Sequence, residues 1–154
     1  MSDIFENGAL FGEPQEELRI GIIGYSNDAD FDEVEADIEI EEMLDEVLSE
    51  FDDGTKSIVI VANGIDEGVA QVAYDIAYDR GYKTVGITPA SLGDKERFET
   101  DDELVVGDEP GEDDDFFVDY VDVIIRIGDS EHGDTVSKMA MAEAADIPTI
   151  ELDI

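Results

Sequence analysis

The chain has no cysteine, no tryptophan, one histidine and only 8 Lys and Arg residues among 154. Without cysteine, a disulfide, a thiolate nucleophile and a Cys-based metal site are all excluded. No apolar run approaches the ~18 residues that a membrane-spanning helix needs, and we expect no secretory signal, because the first residues show no basic region. The few basic residues are dispersed, whereas a nucleic-acid surface needs clustered Lys and Arg. We therefore expect neither a membrane nor a nucleic acid as partner.

Acidic residues dominate the composition, with 44 Asp and Glu and a formal net charge of -36. Such a charge destabilises a compact domain through self-repulsion, and at about 1 M salt a Debye length of roughly 3 Å screens most of it. High charge also suits disordered chains, but hydrophobic residues make up 42% of this one and fall in strand-like and helix-like runs. We expect a folded domain with an acidic coat, in the cytoplasm of a halophile or the virion of a halophilic virus.

Short apolar runs alternate with helical patterns along the chain. The apolar runs predict strands at 19–25, 57–62, 83–88, 104–106, 121–127 and 148–152. Helical spacing predicts helices at 37–51, 69–80 and 135–145, and a short helix or turn at 116–120. The apolar stripe expected on the first helix consists of Ile38, Met43, Leu44, Val47, Leu48 and Phe51.

This alternation predicts an α/β fold, Rossmann-like and doubly wound, with a mostly parallel sheet and helices on both faces. The domain is expected to span 18–154. Residues 1–17 are expected to form an N-terminal arm that packs on the domain, on a neighbouring copy in a homo-oligomer, or on a partner protein.

Three turns rich in glycine and small polar residues follow predicted strands. Ligands bind outside the carboxyl ends of strands in such sheets, and a helix that starts with glycine presents backbone N–H groups to a phosphate. Any one turn alone is more simply a tight connection, and the fingerprints G-x-G-x-x-G and Walker A are missing; three at one edge predict a crevice for a nucleotide-like small molecule. The predicted ligand-binding residues are Gly24, Tyr25, Ser26, Asn63, Gly64, Gly68, Val69, Pro89, Gly128, Ser130, Gly133 and Thr135.

The candidate catalytic residues are Asp66, Asp129 and His132. His132 is either a general acid or base, or a loop residue that is exposed or donates a hydrogen bond to the ligand. Asp66 and Asp129, with Glu131 beside them, either exchange protons or hold a divalent cation, or belong to the solvated acidic coat. No cofactor is expected other than a Mg²⁺ or K⁺ ion at these acidic turns.

Other polar residues near the turns also have two interpretations. Ser26, Ser130 and Thr135 either bind a phosphate or ribose, or cap the helix that follows. Tyr25 either stacks on a base or closes the pocket. Arg126, in a predicted buried strand, is expected to pair with an internal carboxylate rather than with a phosphate.

The segment VIVANGIDEGVAQVAYDIAYDRGYKTVGITP resembles the SLOG superfamily of Rossmann-like nucleotide-binding proteins, which includes the LOG phosphoribohydrolases and relatives of the DNA-processing protein DprA. There a strand ends in a Gly-rich turn, a G-x-D-x-G-[VA]-A-like element starts the helix, and a strand ending near Pro follows. The matching residues are Gly64, Asp66, Gly68, Val69, Ala70 and Pro89.

The segment VDVIIRIGDSEHGDTVSKMAMAEAADIPTIELDI resembles the superfamily's second motif, a strand, a glycine-rich turn, a helix and a strand. RIGIIGYSN matches its first strand and turn. The resemblance covers about 19–154 and is similar to versions often encoded by tailed viruses. The residues at matching places in the second motif are Gly128, Gly133, Thr135, Ile147 and Pro148.

This chain departs from the phosphoribohydrolase pattern P-G-G-x-G-T-x-x-E. Asp129 stands where a glycine is expected, and Lys138 stands three residues after Thr135 in place of the catalytic Glu. The resemblance implies binding of a nucleotide or nucleotide-derived ligand. If the domain is an enzyme, it implies hydrolysis of an N-glycosidic bond, with Asp66 or Asp129 stabilising the cationic ribosyl transition state.

Binding without turnover is the preferred interpretation. The alternative is a structural or assembly protein, such as a virion component of a haloarchaeal tailed virus, that keeps the fold without a live site.

Overall fold

A computed structural model describes residues 16–25, 31–52, 54, 56–92, 97–109, 111–128 and 133–152. Strands and helices alternate as predicted, and a short 3₁₀ turn, Ala90–Leu92, follows the third strand. The predicted arm up to residue 15 lies outside the described residues, and 16–17 lead into the first strand. The elements are β1 (Glu17–Gly24), α1 (Glu33–Phe51), β2 (Ser57–Ala62), α2 (Gly68–Arg80), β3 (Lys83–Thr88), β4 (Asp102–Val105), α3 (Asp114–Tyr120), β5 (Val123–Ile127), α4 (Gly133–Ala144) and β6 (Thr149–Leu152).

The six strands form one sheet in the order β4-β3-β2-β1-β5-β6, and every neighbouring pair is parallel. The chain steps outward from β1 to β4 and then crosses back to place β5 on the other side of β1. The order therefore reverses between β1 and β5, and the crevice outside their carboxyl ends is the switch point of a doubly wound sheet. The predicted Rossmann-like fold is confirmed.

Helices cover both faces of the sheet. On one face α1 and α2 pack through residues such as Ile40 and Tyr74, and on the other α3 and α4 pack through Phe117 and Ala142. Consecutive residues of β2 enter opposite cores, because successive strand side chains point to opposite faces. This burial on both faces explains why the strands read as continuous apolar runs.

Helix α1 begins at Glu33, one turn earlier than the predicted start at Asp37. Asp32 caps it, since its carboxylate accepts the N–H groups of Val34 and Glu35 at 2.9 and 3.2 Å. The first turn is acidic and exposed, so it carries no apolar periodicity. A sequence pattern that reads only apolar spacing therefore misses it.

The buried stripe of α1 also differs from the predicted one. Ile38, expected inside, is 56% exposed. The stripe turns about the helix so that a small residue near the start, rather than Ile38, faces the sheet. The buried residues are Ala36, Ile40, Leu44 and Val47. In the described part of the chain, no helix is both long and apolar enough to cross a membrane.

Candidate functional site

The ends of β1 and β5 touch at the switch point. The Tyr25 N–H donates to the Ile127 carbonyl oxygen at 3.4 Å. A Cβ at Gly24 would overlap that same carbonyl oxygen. Only glycine therefore allows the first turn to approach the third this closely, as the predicted ligand crevice requires.

The phenol ring of Tyr25 lies on Gly128, the residue that follows β5. A Cβ at Gly128 would overlap this ring, lying 2.5 Å from Cζ and 2.8 Å from Oη, and the φ of Gly128 is +61°. The Tyr25 ring also stacks on Phe31, with ring centroids 5.6 Å apart and planes 5° from parallel. Of the two interpretations of Tyr25, these contacts favour the one in which its ring closes the crevice.

The second turn, which follows β2, is held by side chains from inside the domain. Asn63 Oδ1 accepts the Ile65 N–H at 3.0 Å, which is an Asx turn. The Gly64 N–H donates to the Tyr74 hydroxyl at 3.0 Å, and that hydroxyl donates to the Val85 carbonyl oxygen at 2.8 Å. The turn is therefore tied through one hydroxyl to β3.

Tyr74 is the residue that sequence analysis missed at this site. It is fully buried, and its burial raises the pKa of the hydroxyl far above the ordinary value, so the group stays neutral and able to donate. Its ring packs on Phe98 at 4.9 Å, and the Phe98 N–H donates to the Gly64 carbonyl oxygen at 2.9 Å. The available signal was a tyrosine among the buried positions of a predicted helix, since a buried hydroxyl requires a partner.

Amide groups at three predicted ligand-binding residues donate to protein oxygens. Besides Gly64, the Val69 N–H donates to the Tyr25 carbonyl oxygen at 2.8 Å, and the Gly128 N–H donates to the Leu152 carbonyl oxygen at 2.7 Å. These bonds link the three turns to one another and to β6. Phosphate binding by these residues stays a prediction, and in this structure their own amides serve to assemble the turns.

Arg126 supports the third turn from below. Its side chain is 5% exposed, and its Nε and Nη2 donate to Glu151 Oε1 at 3.2 and 3.0 Å. Its Nη1 donates to the Gly128 carbonyl oxygen at 2.8 Å. The expected pairing with a carboxylate is confirmed, and the same guanidinium fixes the position of Gly128.

The structure locates some of the remaining candidates. Asp66 is exposed, Gly68 and Pro89 are buried, and Gly133 begins α4. Thr135 is buried at the third residue of α4, so the alternative that it caps this helix is wrong. The candidates Ser26, Asp129, Ser130, Glu131 and His132 lie outside the described residues.

Carboxylates crowd the surface where α1 meets α2. The pKa of Asp75 is raised, first by desolvation and then by the charges of Asp66, Asp79 and Asp37. Asp66 therefore faces other acids on this side. Among the described residues, no group of three or more acidic or histidine side chains is arranged to hold a metal ion.

Two cavities lie away from the switch point. One of about 500 Å³ lies between α4 and β6, and one of about 300 Å³ lies between α1 and α2. Neither is lined by a predicted site residue. The topology of the sheet is the stronger guide to a ligand, because the Tyr25 ring occupies space at the switch point that a cavity would otherwise show.

Solved structures with the same fold carry related names. The molybdenum cofactor binding protein from the phototrophic bacterium Rippkaea orientalis is 22% identical, with a TM-score of 0.69 over 90% of this chain and 78% of that one. The Moco carrier protein from Chlamydomonas reinhardtii is 22% identical, with a TM-score of 0.66 over 89% of this chain and 76% of that one. The structural-genomics target TM1055 is 19% identical, with a TM-score of 0.62 over 86% and 72%.

At these identities the likeness shows a shared Rossmann-like fold. No protein-family model matches this chain, and no curated protein matches it.

Proposed function

We propose that this domain binds a nucleotide or nucleotide-derived small molecule in the crevice between the carboxyl ends of β1 and β5. The observation that carries the proposal is the convergence of the three predicted turns on one residue. The Tyr25 N–H bonds to Ile127 at the third turn, and its carbonyl oxygen bonds to Val69 after the second. Turns from β1, β2 and β5 thus surround the switch point, where open parallel sheets bind ligands.

Two further observations support this proposal. The motifs that resemble the SLOG superfamily lie at these turns, and we propose that the chain is a member. Two proteins of the same fold are named for binding or carrying the molybdenum cofactor, which adds that cofactor to the ligand classes worth testing.

We propose binding without turnover. Lys138, which stands where the phosphoribohydrolases have a catalytic Glu, forms an ion pair with Asp114 at 2.8 Å. The side chains are 12% and 2% exposed, so the pair joins α4 to α3 inside the domain. This position is therefore used for packing, and its charge is opposite to that of the family's catalytic group.

We also propose a saline setting for the acidic coat and self-association through the arm. The cytoplasm of a halophile and the virion of its virus both meet the requirement for salt, since either medium screens a net charge of -36.

Thermal unfolding in multimolar KCl tests the proposed function. The ligands are nucleoside monophosphates, nucleotide sugars and the molybdenum cofactor, each with and without Mg²⁺. A ligand at about 100 times its Kd stabilises the fold by about 2.7 kcal/mol, which corresponds to a midpoint rise of several degrees in a domain of this size.

The matched variants are Thr135→Val, in which a predicted phosphate contact is lost, and Thr149→Val, which alters an exposed residue on β6. Each is compared with its own ligand-free midpoint. We expect the ligand-induced rise to shrink in Thr135→Val and to persist in Thr149→Val. Absence of a rise with every ligand would contradict the proposal.

A further inference from the structure

We propose that the phenol ring of Tyr25 occupies the seat of the ligand's own planar ring, so that a ligand with a flat heterocycle binds by displacing it. The inference rests on the proposed function and adds the class of ligand group that enters the crevice. It also assigns Tyr25 a role in ligand selection.

The seat has two described walls. Gly128 forms one, because its missing side chain leaves the space that the Tyr25 ring fills, where even a Cβ would lie 2.5 Å from Cζ. Phe31 forms the other, with its ring 5° from parallel to that of Tyr25. A slot between a glycine backbone and an aromatic face suits a flat ring, because stacking needs two parallel surfaces.

The backbone of Tyr25 is anchored independently of its side chain. Its N–H bonds to Ile127 at 3.4 Å and its carbonyl oxygen to Val69 at 2.8 Å. The side chain is only partly buried. The ring is therefore able to rotate out of the seat about its side-chain torsions while the strand end stays in place.

Arg126 keeps the seat in shape when the phenol ring leaves. Its Nη1 holds the Gly128 carbonyl oxygen at 2.8 Å, and the Gly128 N–H bonds to Leu152 at 2.7 Å. Both polar backbone groups of Gly128 are thus fixed by the protein. The seat offers an incoming ring a preformed surface and selects by shape.

Occupation of the seat by Tyr25 lowers the apparent affinity for the ligand. The apparent Kd equals the intrinsic Kd divided by the fraction of molecules with the seat open. A stacked ring that is in place about nine-tenths of the time weakens binding about tenfold. Removing the ring should recover this factor.

The first test measures Kd by equilibrium dialysis in multimolar KCl, with AMP and ribose 5-phosphate as probes. Tyr25→Ala should bind AMP about tenfold more tightly than the wild type, and ribose 5-phosphate with unchanged affinity. Tyr25→Phe keeps the ring and should match the wild type. Tyr78→Ala removes a tyrosine that is 79% exposed on α2 and serves as the control for the substitution itself.

Three outcomes would overturn the inference. Weaker AMP binding by Tyr25→Ala means that Tyr25 stacks on the ligand. Unchanged or absent AMP binding in both proteins means that the ring blocks no seat for adenine, and equal tightening of both probes means that it blocks the whole crevice. Each of these is distinguishable from failure of the proposed function, in which no ligand in the unfolding experiment shifts the midpoint.

Fluorescence gives a second measurement on a variant that keeps a ring. The chain has no tryptophan, so Tyr25→Trp carries a single one at the seat. Adding AMP should shift its emission to longer wavelength as the indole moves into water. A shift to shorter wavelength, or none on saturation, would contradict displacement.

Discussion

At the scale of single residues, the hydroxyl of Tyr74 joins the second turn to the sheet. It sits between the Gly64 N–H and the Val85 carbonyl oxygen, 3.0 and 2.8 Å away, in a fully buried position. A sequence pattern shows that this tyrosine lies on a helix, but it does not show that a turn ten residues earlier supplies the partner.

Tyr74→Phe should lower the free energy of unfolding by about 1–3 kcal/mol, because it leaves a buried N–H and a buried carbonyl without this partner. Chemical denaturation in multimolar KCl measures the loss. Tyr78→Phe, at a tyrosine that is 79% exposed, is the matched control and should change little. Equal stability of the two variants would show that the Tyr74 hydroxyl contributes nothing to the turn.

Arg126 illustrates how far residue-level prediction reaches. A cation in a buried strand requires an anion, so pairing with a carboxylate was predictable. The partner, Glu151, is 25 residues away on β6, and only the β5–β6 register places it opposite. The second bond, to the Gly128 carbonyl oxygen, was not predictable, because it depends on the path of the turn.

At the scale of elements, the bounds of β2 and β3 match the predicted strands at both ends. Their apolar runs end at Lys, Ser, Asn or Pro, so the signal changes within one residue. Helix α1 is less well predicted, because its first turn has no buried apolar residue before Ala36. The sequence Asp32-Glu33-Val34-Glu35 nevertheless has the spacing of a helix-capping box, a signal that apolar periodicity does not read.

Asp32→Ala should destabilise the protein by about 1 kcal/mol, since it removes the acceptor of two N–H groups at the start of α1. Circular dichroism followed through thermal unfolding measures the change. Asp119→Ala, at an exposed aspartate of α3, also removes one negative charge and should cost little. A similar loss in both variants would attribute the effect to charge and not to the cap.

At the scale of the whole molecule, negative charge opposes the compact state. The effect is concentrated where α1 meets α2. There the pKa values of Asp37 and Asp75 are raised, in each case first by desolvation and then by neighbouring carboxylates. A carboxyl with a raised pKa in the folded state binds its proton more tightly than in the unfolded chain. Its ionisation therefore lowers stability as the pH rises from the model value of 3.8 through the folded pKa.

Asp75→Asn should raise the stability at pH 7 and low salt, by up to about 1 kcal/mol for a largely exposed group. The gain should shrink as KCl approaches multimolar concentration, because salt screens the repulsion. It should also shrink as the pH falls and the wild-type carboxyl takes up its proton. Urea unfolding over a matrix of salt and pH measures both trends.

Glu46→Gln, at an exposed residue of α1, removes the same charge outside this crowded surface. We expect a smaller gain from it. An equal gain would show that only the net charge matters and that the α1–α2 surface has no special role.

The sequence by itself determined the folded α/β domain, the alternation of elements and the turns that border the crevice. Apolar runs and helical spacing are local, and the ends of parallel strands share one edge of a sheet. Only the tertiary structure decided that the Gly64, Val69 and Gly128 amides bond to protein oxygens and that Tyr25 lies on Gly128. These contacts join residues up to 103 positions apart, and no local pattern encodes the distance between them.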